Sequence, residues 1–165
     1  MDTGREAGAL RDVLACFPTG VVAVCAMCDG RPAGLAVGSF LSLSLDPPLV
    51  GFGVAHTSTS WPSIACLPSF AVSILAADQD DISKTIATPG GDKFASVPWH
   101  LSRGGSPVIS GAVAYLDCTH HARHRTGDHD LIVGLVQHYA LLEITPPLVF
   151  HRRQYSQPGS GPTAR

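Results

Sequence analysis

Three stretches of the chain hold residue types able to do chemistry. The first is Gly34-Leu35-Ala36-Val37-Gly38-Ser39-Phe40-Leu41-Ser42-Leu43-Ser44. Its small residues let a flat ligand approach the backbone, and backbone N–H groups and serine hydroxyls can meet a polar ligand edge. The same composition also serves a strand that bends at a barrel corner. The second is Thr57-Ser58-Thr59-Ser60, just ahead of a short helix. Free N–H groups and the positive end of a helix dipole suit a phosphate there. Ordinary helix capping asks for the same residues and, taken alone, has the stronger claim.

The third stretch is His120-His121-Ala122-Arg123-His124-Arg125-Thr126-Gly127-Asp128-His129. Its histidines lack the helical His-x-x-x-His spacing and backing carboxylate of a metal site, so no metal is expected. His120, His121 and His124 read as parts of a solvated, weakly basic loop between two strands. His129 differs, because Gly127-Asp128 ends the loop and an apolar strand begins. From there an imidazole can point into a site at a barrel mouth. Cys25 and Cys28 have the spacing of a redox or zinc pair. On a strand, however, residues three apart face opposite sides, so the two read as small core or interface residues. No Ser–His–Asp, Cys–His or paired-carboxylate arrangement stands out, which argues against a hydrolase.

Elements must position these stretches. Leu10, Val13, Leu14 and Phe17 form one stripe of an amphipathic helix, stopped by Pro18 and Gly20. Val21–Cys28 reads as a strand, Asp29-Gly30 as a hairpin turn, and Ala33–Ser44 as a second extended stretch. Asp46-Pro47-Pro48 breaks the chain before a strand over Leu49–Ala55. A short helix follows through Ile64 and Ala65, then a strand over Ser69–Leu75. Asp78 caps a helix running to about Ala87, and a helical turn surrounds Lys93 and Phe94. The rest is extended, over Ala112–Thr119, His129–Gln137, Tyr139–Ile144 and Leu148–Tyr155. Such short strands with few helices predict a mainly β, closed antiparallel barrel. The dinucleotide fingerprint Gly-x-Gly-x-x-Gly and the phosphate-loop lysine motif are both missing.

With 165 residues and 17.2 kDa, the chain reads as one domain over 1–157 with a flexible tail over 158–165. Eleven basic against 13 acidic side chains leave a net charge of -2, without the basic footprint of a nucleic-acid binder. Charged residues make up only 15% of the chain, against about 25% in ordinary soluble domains. So thin a charged coat predicts that some surface is buried against a second copy. No apolar run reaches the roughly 18–20 residues of a membrane helix, and none is placed as a signal peptide. The five cysteines then read as reduced, cytoplasmic thiols.

In order and spacing, several segments resemble the flavin reductase family, the small partners of two-component flavin-dependent monooxygenases. They are Phe17-Pro18-Thr19-Gly20-Val21-Val22, Gly34–Ser44, Leu45-Asp46-Pro47-Pro48-Leu49-Val50, Ser58-x-Ser60 with Ile64, and Phe70–Leu75. Asp92-Lys93-Phe94, Gly111-Ala112, Leu116-Asp117-Cys118, Gly127-Asp128-His129, Gly134 and Pro147-Leu148-Val149 through Tyr155 continue the match. The resemblance implies a homodimeric, Greek-key-like FMN-binding split β-barrel. It implies that NADH or NADPH reduces FMN or FAD, which then diffuses to a separate monooxygenase. Val37, Gly38, Ser39, Phe40, Ser42, Leu43 and Ser44 would line the isoalloxazine, and Ser58 and Ser60 would hold the phosphate and ribityl region. By the same resemblance Lys93 adds charge toward the phosphates, His129 sits by the nicotinamide, and Thr19 and Gly20 shape that mouth. Two positions depart from the family pattern, with Ala36 and Gly38 standing where Thr and Asn are usual. Each lost side-chain hydrogen bond to flavin is worth about 0.5–1.5 kcal/mol net. Two other readings stay open: a flavin-binding split barrel without free-flavin reductase activity, and a structural dimer with a decayed pocket.

Overall fold

Short apolar strands bury their side chains only by pairing edge to edge and packing both faces of the resulting sheet. A computed structural model describes residues 3–159. The C-terminal residues 160–165, most of the expected tail, lie outside the described residues. The elements run α1 (Thr3–Leu14), β1 (Thr19–Gly20), β2 (Val22–Cys28), β3 (Arg31–Val37), β4 (Leu41–Leu45) and β5 (Pro48–Ala55). After them come α2 (Trp61–Ala65), β6 (Ser69–Ile74), α3 (Asp80–Ala87), β7 (Trp99–Leu101) and β8 (Pro107–Ile109). Two long strands follow, β9 (Ala114–Thr126) and β10 (His129–Leu141), and a last hairpin, β11 (Val149–His151) with β12 (Gln154–Ser156).

Seven strands form one antiparallel sheet in the order β3-β2-β6-β9-β10-β5-β4. β2 lies inside it and is buried on both faces. Val22, Val24 and Ala26 enter one core with Phe52, Trp61 and Phe70, while Ala23 and Cys25 enter another with Leu75, Ile86 and Leu148. Phe52 anchors the first core, its ring edge-on to Trp61 of α2 and to Phe70 of β6, both 5.7 Å away between centroids. Cys25 and Cys118 are fully buried, and burial pushes both thiols up to about 12.

The fold is mainly β, as expected, but the sheet does not close. Its end strands, β3 and β4, share no ladder among the described residues. The long stretch Ala33–Ser44 is the reason. It splits into β3 and β4 at a corner over Gly38-Ser39-Phe40, and β4 pairs with β5 at the opposite end of the sheet. Other boundaries also moved. The histidine stretch is not a loop, because β9 runs on to Thr126 and pairs with β10 around a two-residue tip at Gly127-Asp128. Gln137 and Tyr139 belong to one strand, irregular between Val136 and His138, rather than to two. Gln79, not Asp78, stands at the start of α3. Around Lys93 there is only a turn, closed by the Ala95 N–H on the Asp92 carbonyl. The stripe Leu10, Val13, Leu14 and Phe17 is exposed, Phe17 to 74%.

The tip of the β9–β10 hairpin is clamped at its base. His56 Nε2 lies 3.1 Å from Asp130 Oδ1, and Arg123 Nε donates to Asp130 Oδ2 at 2.8 Å. The His56 N–H donates to the Asp128 carbonyl at 2.9 Å. The end of β5 and both hairpin strands therefore meet at one carboxylate. Arg123 above all, then His56, holds the Asp130 carboxyl below the usual carboxylate range. A lowered folded-state value makes the clamp's contribution complete above the unfolded value of about 3.9, and it fades as pH falls through the folded one. Asp130→Asn is expected to lower the Tm at pH 7, with the gap to the parent narrowing below about pH 4. A gap equally wide at pH 3 would mean that the charge does not hold the tip.

Candidate functional site

A cleft of about 420 Å³ occupies the side where the sheet stays open. β4 pairs with β5 only as far as Gly51, so Gly53–Ala55 have no strand on their outer side. Those residues form one wall, and Leu35–Ser39 of β3 and its corner form the other. Thr57–Ser60, Ala87, Pro89 and Lys93 close one end, and His129 stands on the rim. In an antiparallel ladder, backbone groups point alternately toward and away from the neighbouring strand. The Gly34 carbonyl points to the open side, where Lys93 reaches it. Alternation therefore turns the N–H and C=O of Ala36 to the same side. The cleft thus has a strand edge whose donors and acceptors are free for a ligand.

Each side chain at the cleft has a definable duty. Ser39 Oγ accepts the Gly53 N–H at 2.8 Å and donates to the Gly53 carbonyl at 3.2 Å. Its hydroxyl satisfies the bare edge of β5 and pins the corner to it. Gly38 packs over Thr19, whose Oγ1 would lie 3.1 Å from a Cβ at that position. Ser58 Oγ accepts the Trp61 N–H at 3.2 Å, which is a capping role, and its own proton stays free to donate. The helix it opens has only five residues, so the expected dipole contribution drops out. Ser60 Oγ accepts from Lys93 Nζ at 2.9 Å. The same ammonium donates to the carbonyls of Ile86 at 2.7 Å and Gly34 at 3.4 Å. Burial lowers its pKa.

His129 Nδ1 lies 2.7 Å from Asp128 Oδ1, and this pairing leaves Nε2 for a ligand. The contact holds the Asp128 carboxyl below its ordinary range, with the hydrogen bond as the largest cause. Of the expected residues, Val37, Gly38, Ser39, Ser58, Ser60, Lys93 and His129 line this cleft, and Thr19 backs it. Phe40, Ser42, Leu43 and Ser44 do not line it. Phe40 packs on the first core, while the other three lie on β4, with Leu43 lying over Gly51. Gly53 and Asp128 were missing from the expected set. The alternating glycines of Gly51-Phe52-Gly53 were the available sign of a close approach.

The flavin reductase like domain model matches residues 14–159. The chain belongs to the flavin reductase family. A flavin reductase from Pseudomonas putida is 43% identical over 146 residues, covering 88% of this chain and 86% of the relative. The reductase subunit of a flavin-dependent monooxygenase from Mycobacterium tuberculosis is 39% identical, covering 88% and 79%. The NADH:FAD oxidoreductase of Streptomyces globisporus, solved with NAD and FAD fragments, superposes with a TM-score of 0.90 at 32% identity. That match covers 99% of both chains. Family membership makes the chain an oxidoreductase.

In this flavin reductase family member, the duty of Ser39 is testable apart from any ligand. Ser39→Ala strips two hydrogen bonds from the bare edge at Gly53. The expected loss is about 1–2 kcal/mol, read as a Tm about 2–8 °C lower. An unchanged melt would mean that the corner is held otherwise.

Proposed function

We propose that the cleft binds FMN or FAD, that NADH or NADPH reduces it there, and that it leaves reduced for a separate monooxygenase. The observation carrying this reading is the gathering of a bare strand edge, small residues, hydroxyls, a cation and a rim histidine around one flat opening. The fit is chemical as well as spatial. Ala36 offers a backbone donor and acceptor side by side, matching a pyrimidine edge that carries both. Ser58 and Ser60 keep hydroxyl protons to donate at the end where Lys93 adds positive charge. A bound flavin supplies the acceptor for a hydride from nicotinamide.

The remaining work falls to positioning. The β3 edge orients the ring, and donors along it stabilise the negative charge that reduction places there. His129 Nε2 meets the nicotinamide at the rim, held by Asp128 and by the clamp at the hairpin base. Ala36 and Gly38 bring no side-chain hydrogen bonds, which supports flavin cycling as a substrate rather than staying bound. The mycobacterial relative, a monooxygenase reductase subunit, supports the proposed partner. Free cysteines support a reducing, cytoplasmic setting, and the single family match over residues 14–159 supports one domain.

We further propose a homodimer that completes the split barrel. The exposed face of Leu10, Val13, Leu14 and Phe17, with Leu45 and Leu141 also bare, is more apolar surface than a monomer carries comfortably. Sizing is expected at twice the 17.2 kDa chain mass. A monomer would count against the proposed assembly.

Steady-state NADH oxidation with added FMN or FAD tests the activity. Flavin-dependent consumption is expected, whereas fluorescence quenching without turnover would reduce the protein to a flavin binder. His129→Ala is expected to raise the KM for NADH severalfold while flavin affinity holds. If flavin binding collapsed and NADH kinetics stayed normal, the rim role of His129 would be wrong.

A further inference from the structure

A separate cleft of about 410 Å³ lies against the base of the β9–β10 hairpin. The strands line it with Arg123, Arg125 and Asp130, the end of β5 adds His56, and α2 adds Pro62 and Ala65. Successive residues of a strand point to opposite faces of its sheet. His129 and Asp130 are successive on β10, so this cleft lies across the sheet from the rim imidazole. We propose that it is a binding site for a small carboxylate with an apolar body. The inference goes beyond the flavin reading and does not depend on it.

The charge on this face is unbalanced by one. Arg123 and Arg125 stand two apart on β9 and so project to the same side. Arg125 is directly across the ladder from Asp130, the place for a cross-strand pair of opposite charges. That pair is not made. Asp130 Oδ1 lies 3.1 Å from His56 Nε2, and its Oδ2 accepts from Arg123 Nε at 2.8 Å. Asp128, the acid of the tip, is engaged by His129. Arg125 is exposed and makes no ion pair among the described residues. Two guanidinium groups therefore face one carboxylate.

The remaining charge selects the ligand. A guanidinium presents a planar fork of donors that grips a carboxylate through two parallel hydrogen bonds. One carboxylate balances the one surplus charge, whereas a phosphate monoester carries nearly two negative charges near neutrality. The rest of the cleft asks for carbon. Pro62 and Ala65 are both exposed, and a bare inorganic anion would leave them in water. An apolar group attached to the carboxylate would cover them.

Titration of benzoate into the full chain, followed by ligand-observed NMR, tests the site. Benzamide, the uncharged analogue, is the control, and binding at least about tenfold weaker than that of benzoate is expected. Arg125→Gln, which removes the surplus charge, and Ala65→Phe, which fills the cleft, are each expected to weaken benzoate at least about tenfold. FMN affinity, read by fluorescence quenching, is expected to stay within about twofold in both variants. Both positions are exposed, and melts matching the parent check the fold of each variant. Added FMN is expected to leave benzoate binding unchanged. Displacement of benzoate by FMN would place the carboxylate in the first cleft and overturn the proposal. Equal binding of benzoate and benzamide, no binding of benzoate, or variants that bind it as the parent does would overturn it as well.

Discussion

One ammonium joins three walls of the cleft. Lys93 binds the open edge of β3, the hydroxyl at the head of α2 and the last turn of α3, so those elements cannot move independently. Its position at the C-terminal end of α3 is favourable, because carbonyls left unpaired there attract positive charge. Hydrogen bonds to a charged donor are also worth about twice neutral ones, about 1.5–3 kcal/mol each. Against this stands the desolvation that lowers the pKa of Lys93. The residue is therefore both a structural strut and the fixed positive charge at one end of the cleft.

The rest of the site follows from a sheet that stays open. Bare strand edges invite unwanted pairing, and proteins ordinarily cover or blunt them. Here the edge of β5 is answered by one serine hydroxyl, and the edge of β3 faces the cleft. On the other side, a buried carboxylate binds the hairpin whose tip carries His129 to the end of β5. Rigidity thus sits immediately behind the groups that line the cleft.

Much of this was legible in the chain. Asp29-Gly30 announced its hairpin, and both residues adopt the positive φ that such turns need. The apolar runs of β2, β5 and β6 fell within a residue or two of their true limits. Seven expected site residues, including Ser58, Lys93 and His129, do line one cleft. What failed had physical causes. The turn between β11 and β12 uses Arg152 and Arg153 at φ 48° and 62°, residues that give no turn signal at all. The distal half of β9 projects past the core, so polar residues occupy both of its faces and no alternation marks it as a strand. Ser42, Leu43 and Ser44 were assigned to the site as one run with Ser39. The corner at Gly38-Ser39-Phe40 turns them onto a different strand, a bend that the small residues of this stretch permitted without fixing its place.

The depth of Cys25 and Cys118 also sorts the chemistry open to the five thiols. A thiol reacts with peroxides, disulfides and alkylating agents through its thiolate. With burial raising both values to about 12, the two core thiols stay protonated near neutrality. Cys16 and Cys66 lie at the surface and meet any such reagent first. Oxidation of this chain would therefore mark its outside while its packed interior keeps its original sulfur chemistry.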